Sequence, residues 1–304
     1  MIMKIKIVLV AGLFLAINDV SPQLKAVDSP EGIEILEAGR PVLFYQKKSR
    51  SLNVQYERAG YVHPLYNLNG DTITEDFPPD HLHHHGVFWA WHQMIYNGKP
   101  VGDSWDGRDI SWEVLNTAVK EKSEKARLKS KVRWTSQVAG KTIDILEEKT
   151  EITVYRKTDD FRAIDFKIRL LPKVDNLFIG GSDDLKGYGG FSLRFRNPET
   201  LSFESQGKEI TPAVQAVPAG PWMNFSGSFG LPGQSGVAVF CHPSNPGDIR
   251  QWILRDSKSM QNPVWPGREP VAIPPKGIVL QYRLIIHDGG LSQDVLEKLY
   301  QEYR

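Results

Sequence analysis

The stretch FRAIDFKIRLL (161–171) alternates strictly, with Ile164, Phe166, Ile168 and Leu170 on one side and Ala163, Asp165, Lys167 and Arg169 on the other. A period of two lets a strand bury one face and wet the other, and antiparallel sheets are where such half-buried strands occur. GIVLQYRLIIHDG (277–289) does the same with Ile278, Leu280, Tyr282, Leu284 and Ile286, and FSLRFRN (191–197) sets Phe191, Leu193 and Phe195 against Ser192, Arg194 and Arg196. Related segments lie at 32–46, 111–119, 126–136, 142–156 and 235–243, with turn-forming clusters between strands at AGRP (38–41), NLNGD (67–71), KTDD (157–160), NPET (197–200) and PSNPGD (243–248). Only LSQDVLEKLYQEYR (291–304) carries a helical stripe, of Leu291, Val295, Leu296 and Leu299, with Ser292 placed to cap it and Asp294 in its first turn. A dozen or more strands without intervening helices predict an all-β chain folded as a large antiparallel sandwich, residues 27–304 forming one domain. Within it, KEKSEKARLKSK (120–131) reads as a charged edge hairpin, EEKTE (147–151) as the solvated part of another, and 210–227 as a loop able to wall a cleft.

The 304 residues are 40% apolar and 24% charged, so a large core is available. A formal net charge of +1, with no long run of one sign, gives no electrostatic footprint for nucleic acid or a membrane surface. MIMKIKIVLVAGLFLAI (1–17) has two lysines before an apolar run too short to span a bilayer, and small and polar residues follow as far as Ala26. That layout predicts a secretory signal peptide over 1–26 and an exported, periplasmic or extracellular protein. The single cysteine, Cys241 in VAVFCHP, excludes an intrachain disulfide and reads as a small core residue.

DHLHHHGVFWAWH (80–92) holds five of the eight histidines. Read as one strand, it puts His81, His83, His85, Trp89 and Trp91 on one face, and Leu82, His84, Phe88 and Ala90 on the other; Gly86 warns of a bend between them. Three readings compete. His81 and His83 could hold a metal, completed by His63 or Asp80. Alternatively, the imidazoles could exchange protons with a sugar while the tryptophans stack on its ring. The third reading is a hydrogen-bonded structural cluster.

Glu75, Asp76, Asp103, Asp106 and Asp109 are nearby acids. Short acidic loops usually bond their own backbone, and Asp103 stands out because Trp105 lies beside it and Gly102 loosens the backbone. In KGYGGFSLRFR (186–196) three glycines beside Tyr188 allow a close backbone approach, and Arg194 and Arg196 lie on the polar face, suited to a carboxylate or hydroxyls. HPSNPGD (242–248) and QNPVWPGREP (261–270) read as proline turns from which His242 and Trp265 could reach a cleft.

In this order, YVHPLY (61–66), TEDFPPDHLHHHGVFWAWH (74–92), KGYGGFSLRFR and HPSNP resemble the bacterial PmoA-like family, labelled "methane oxygenase PmoA", across about residues 30–300. The resemblance implies a β-supersandwich similar to galactose mutarotases, where a sugar lies on the concave face of a large sheet among histidines and carboxylates. Members often carry arginine where this chain has His85, which weakens any metal set that needs it. Methane oxidation itself is excluded, because a membrane monooxygenase subunit needs spanning elements and no apolar stretch after residue 17 is long enough. The expectation is an exported carbohydrate-active protein that acts on a small-molecule or oligosaccharide substrate by epimerase, lyase or hydrolase chemistry; a non-catalytic sugar-binding module is the alternative. Its acid–base residues would be His83 and His84, supported by His63 and Asp103. Trp89, Trp91 and Trp105 would stack on the sugar, and Arg194, Tyr188 and His242 would bind it. No cofactor is required, the metal alternative being His81, His83 and His63.

Overall fold

The structure is a computed structural model that describes residues 23–196, 201–229, 231–257 and 260–304. Two nine-stranded antiparallel sheets lie face to face. The first runs, in spatial order, Leu24–Asp28, Gly32–Glu37, Arg40–Gln46, Tyr61–Leu65, Val87–Ala90, Gly190–Arg194, Met260–Pro263, Gln251–Ile253, Val217–Pro218. The second runs Ile110–Lys122, Lys125–Val138, Lys141–Tyr155, Phe161–Pro172, Ile278–His287, Ser235–Cys241, Trp222–Gly227, Leu201–Ser205, Lys208–Glu209. A four-stranded sheet (Val271–Ala272, Leu177–Gly180, Gln93–Tyr96, Lys99–Gly102) and a hairpin of Arg50–Leu52 and Gln55–Arg58 complete the β-structure of the described residues.

The alternating strands meet in phase. Ile164 faces Leu284, Phe166 faces Tyr282 and Ile168 faces Leu280, so both apolar rows point inward together. From the opposite sheet, the Phe191 ring lies 4.4 Å from Tyr282 and 5.2 Å from Phe166. Each such side chain, fully buried, stabilises the fold by about 1.5–3 kcal/mol. Cys241 is one of them, a core residue whose thiol burial pushes up out of the reactive range.

The helix Gln293–Tyr303 is capped by Ser292, whose hydroxyl accepts from the Val295 N–H, and it lies on the outer face of the second sheet against Trp222, Phe240 and Ile285. Its inward residues are Leu296 and Tyr300; Val295, expected in the stripe, is turned to solvent.

Three other expectations change. EEKTE lies inside the strand Lys141–Tyr155, and Glu148 is buried in the core rather than solvated. It is tolerated there because Trp89 Nε1 (2.8 Å), Trp134 Nε1 (3.1 Å) and the Thr150 hydroxyl (2.6 Å) donate to it. Residues 222–227 of the expected loop form a buried strand, and 260–263 join the first sheet before the proline turn begins. The hairpin of Ile110–Lys122 and Lys125–Val138 does carry the charged segment, and Ile110–Lys122 is the edge of its sheet. The leader expectation falls mostly on residues 1–22, outside the described residues, as does the turn expected at 197–200. Leu24 is fully buried in the edge strand Leu24–Asp28, so cleavage after Ala26 would remove three residues of that strand.

His287 ties the second sheet together. The Gly289 N–H donates to its Nδ1 (3.0 Å), which leaves the proton of the neutral ring on Nε2 for Asn224 Oδ1 (2.9 Å). Burial lowers it from 6.5 to about 4. The unfolded chain therefore binds a proton that the native protein refuses, and stability falls as pH drops from about 6.5 towards 4, by up to about 3 kcal/mol for this residue. Denaturant unfolding followed across that window should show the loss, and a reduced slope in His287→Gln. An unchanged slope in the variant would contradict this assignment.

Candidate functional site

The histidine-rich segment is not one strand. His81 N–H donates to Pro78 O and His84 N–H to His81 O, so 78–84 is a chain of turns, and the strand begins only at Val87. Gly86 makes the junction. A Cβ there would stand 2.4 Å from Val62 O and 2.9 Å from His63 Cβ, so only glycine lets the chain pass the neighbouring strand. Beyond the bend Val87, Trp89 and Trp91 point between the sheets, while Phe88 and Ala90 point out of the sandwich.

On that outer face Phe88, Trp105, Tyr61, Ile253, Met260 and Val264 form a second apolar cluster, with Tyr188 and Ala216 packed on it. Ala216 comes from the expected 210–227 loop and is the residue of it that packs on this cluster. The imidazoles of His81, His83 and His84 gather above. His81 stacks on His84 at 4.6 Å, and His83 meets their edges at 5.7 and 4.7 Å. Trp105 closes over His84 edge-on at 5.9 Å, and Tyr56 lies 6.1 Å from His83.

Carboxylates surround the cluster. Asp80 Oδ2 is 2.7 Å from His81 Nδ1, and Asp106 Oδ1 is 3.9 Å from His83 Nδ1. Arg194, 1% exposed, is already held by Asp80 (2.7 Å) and Glu75 (3.1 Å), and its Nη1 lies 3.4 Å from His84 Nδ1. Burial, then the neighbouring histidines and Arg194, push His84 well below 6.5. Burial also lowers His83, against an upward pull from Asp106. At neutral pH both rings are therefore uncharged and able to accept a proton.

The structure brings together His83, His84, Trp105 and Arg194, with Tyr188 at the edge, where its ring lies 4.9 Å from Trp105. Other sequence-predicted residues are placed elsewhere. Trp89 and Trp91 are fully buried between the sheets, their indoles donating to Glu148 and to Trp265 O; the shift of phase after Gly86 took them off the outer face. Trp265 is buried with them. His63 turns to Thr74 (3.1 Å), and burial lowers it to about 4, so it does not join His83. His242 sits beside Tyr303 on the far side of the sandwich, bonded to Ser244. His85 is buried on Asp76 (2.7 Å) and is structural. The glycines of KGYGG approach the chain's own backbone, Gly187 close to Arg268 N and Gly190 close to Trp265 O.

Asp103 is a turn former. Its Oδ1 accepts from the Trp105 and Asp106 N–H groups, and its Oδ2 meets His92 Nδ1 (2.9 Å) and Arg108 (3.2 Å). It presents Asp106 to His83 but does not itself reach that ring.

The metal set of His81, His83 and His63 is not assembled. Among the described residues the one group with ligand atoms close enough for an ion is His92, Asp103 and Asp106. There the Arg108 guanidinium already lies 3.2 and 3.6 Å from the two carboxylates, where a cation would compete with it. His92 and Tyr56 went unremarked in the sequence. His92 ends the histidine-rich block and was legible, whereas Tyr56 arrives from a distant hairpin with no motif to mark it.

A family model described as "Family of unknown function (DUF6807)" matches residues 32–301. No curated protein matches the chain.

Gly86→Ala should force the Val62 carbonyl and the turn apart, costing about 1–3 kcal/mol and displacing the histidine cluster. Thermal unfolding and the histidine ring NMR signals would report both. A variant with wild-type stability and spectrum would show that the close approach does not fix the site.

Proposed function

We propose a function from the site itself, since the chain belongs to DUF6807, a family of unknown function. The protein is an exported carbohydrate-active enzyme that moves protons on a sugar or modified glycoside at the outer face of its first sheet. The observation that carries this reading is His83: a partly exposed imidazole that burial keeps neutral, with the Asp106 carboxylate 3.9 Å from its Nδ1.

A neutral imidazole in that setting takes a proton from a carbon or hydroxyl of the bound ring, and the Asp106 carboxylate stabilises the imidazolium that forms. When the proton comes from a ring carbon, the imidazolium can pass it to the leaving oxygen as that C–O bond breaks, the lyase outcome, or return it to the opposite face of the carbanion once that has turned in the site, the epimerase outcome. In the hydrolase outcome the imidazole instead deprotonates a water that attacks the anomeric carbon, and the imidazolium protonates the departing oxygen. His84, wedged between Arg194 and Trp105, has no room to move, and it holds His83 and His81 edge and face. Tyr56 and Tyr188 offer ring faces for the C–H surface of a sugar. Export rests on the leader pattern; among the described residues no helix is long and apolar enough to cross a membrane.

His83→Asn should lower kcat by about 10²–10⁴-fold on whichever glycoside or free sugar the wild type turns over, and leave the melting temperature nearly unchanged. In the wild type kcat/KM should fall on acidification with an apparent pKa below 6.5, as the base becomes protonated. Full turnover in His83→Asn would overturn the assignment. Sugar binding without turnover, insensitive to His83, would instead identify a non-catalytic binding module.

A further inference from the structure

Beside the histidine cluster lies a cleft of about 480 Å³, within the roughly 300–1,000 Å³ typical of ligand sites. One wall is the hairpin of Arg50–Leu52 and Gln55–Arg58, and the other is the loop 106–109 with the first two residues of the strand Ile110–Lys122; Thr135, Ser136 and Gln137 form the floor. Four residues, Tyr56, Glu57, Asp106 and Gly107, belong both to this cleft and to the seam that holds His83 and Trp105. Of these, the Tyr56 ring lies near the His83 ring and the Asp106 carboxylate faces it. The cleft therefore adjoins the proposed reaction centre, with the side chains of Tyr56 and Asp106 between the two.

Its construction is deliberate at the backbone. Asp103 and Arg108 exchange both N–H···O bonds (2.8 and 2.9 Å), which closes a tight loop with Trp105 and Asp106 at its tip. Trp105 packs inward on Phe88 while Asp106 looks towards His83 and the cleft. In the facing hairpin Leu52 pairs with Gln55, and Asn53 and Val54 both adopt the positive φ that a two-residue hairpin turn requires, which puts the 93% exposed Val54 at its tip.

The lining decides the ligand class. Glu57, Asp106 and Asp109 bring three carboxylates against the one guanidinium of Arg108. Phosphate or uronate groups would be repelled there. Gln55, Ser111 and Gln137 add side chains that both donate and accept hydrogen bonds, as sugar hydroxyls require, and Tyr56 supplies a ring face.

The geometry points to this cleft as a second sugar subsite, which makes the substrate a neutral glycan of at least two units, one at His83 and its neighbour between the hairpin and the loop. This rests on the carbohydrate reading above and adds to it the length and charge of the substrate.

The test uses the full chain, its Ser111→Trp variant and its His83→Asn variant. Ser111 is an exposed strand residue, so a tryptophan there fills the cleft without disturbing the core. The probes are cellobiose, maltose and N,N′-diacetylchitobiose with their tetramers, glucose and N-acetylglucosamine as single units, and digalacturonate as the anionic comparator. At least one neutral disaccharide should bind more tightly than its own monomer. Ser111→Trp should remove that preference, about tenfold or more, with monomer affinity kept, and His83→Asn should keep the preference while losing turnover. A preference unaffected by Ser111→Trp would overturn the subsite alone, since loss of turnover in His83→Asn would still support the reaction centre. Tighter binding of digalacturonate would overturn the neutral class. If no probe bound the wild type, the subsite and the carbohydrate reading would fall together.

Discussion

Everything on the outer face depends on how the strand Val87–Ala90 is pinned. At its start, Gly86 passes so close to Val62 that no side chain fits, and its carbonyl accepts from the Arg194 N–H at 2.7 Å. Along its inner side, Trp89 reaches through the core to Glu148 on the opposite sheet. A slip of one residue would swap that indole with the outward row and take from the buried Glu148 one of its three donors, leaving Trp134 and Thr150. Phase is therefore fixed from both ends, and with it the outward direction of Phe88 and the position of the turns that carry His81, His83 and His84.

The charges around those turns divide the labour. Arg194 could have been a clamp for substrate, but Glu75 and Asp80 saturate it, and it serves instead as a buried brace beside His84. Arg58 braces from below: its guanidinium donates to Trp89 O and Ser104 O and lies over the Trp112 ring at 4.6 Å, and burial lowers it to about 10. Both arginines are therefore committed to the scaffold. Burial then disfavours protonating His83 and His84, and a carboxylate stands ready beside His83 for the moment it takes up a proton. The apolar floor of Phe88 and Trp105 lowers the local dielectric and strengthens that pairing.

The sandwich was legible because its signal is local. Alternation in 161–171 and 277–289 reports a buried face wherever the strands end up, and the two rows do meet in register. The site was legible only as a neighbourhood. The sequence singled out 80–92 but read it as one strand, so it assigned Trp89 and Trp91 to the sugar when the bend at Gly86 sends them into the core. Glu148 escaped for the same kind of reason: nothing in EEKTE shows that two indoles from other segments will satisfy a buried carboxylate. Asp103 and Asp106 differ by three positions and by little in composition. Which of them faces His83 is settled by a backbone loop that closes only in three dimensions.

The proposed chemistry requires a neutral His83, held beside a neutral His84, on the outer face. Histidine side-chain ¹⁵N NMR on the folded protein, followed from about pH 4 to about pH 8 and assigned with His83→Asn and His84→Asn, measures it directly. His83 and His84 should remain neutral at pH 7 and titrate below 6.5, His84 the lower of the two. Uptake of a proton by either ring above 6.5 would contradict the proposed chemistry.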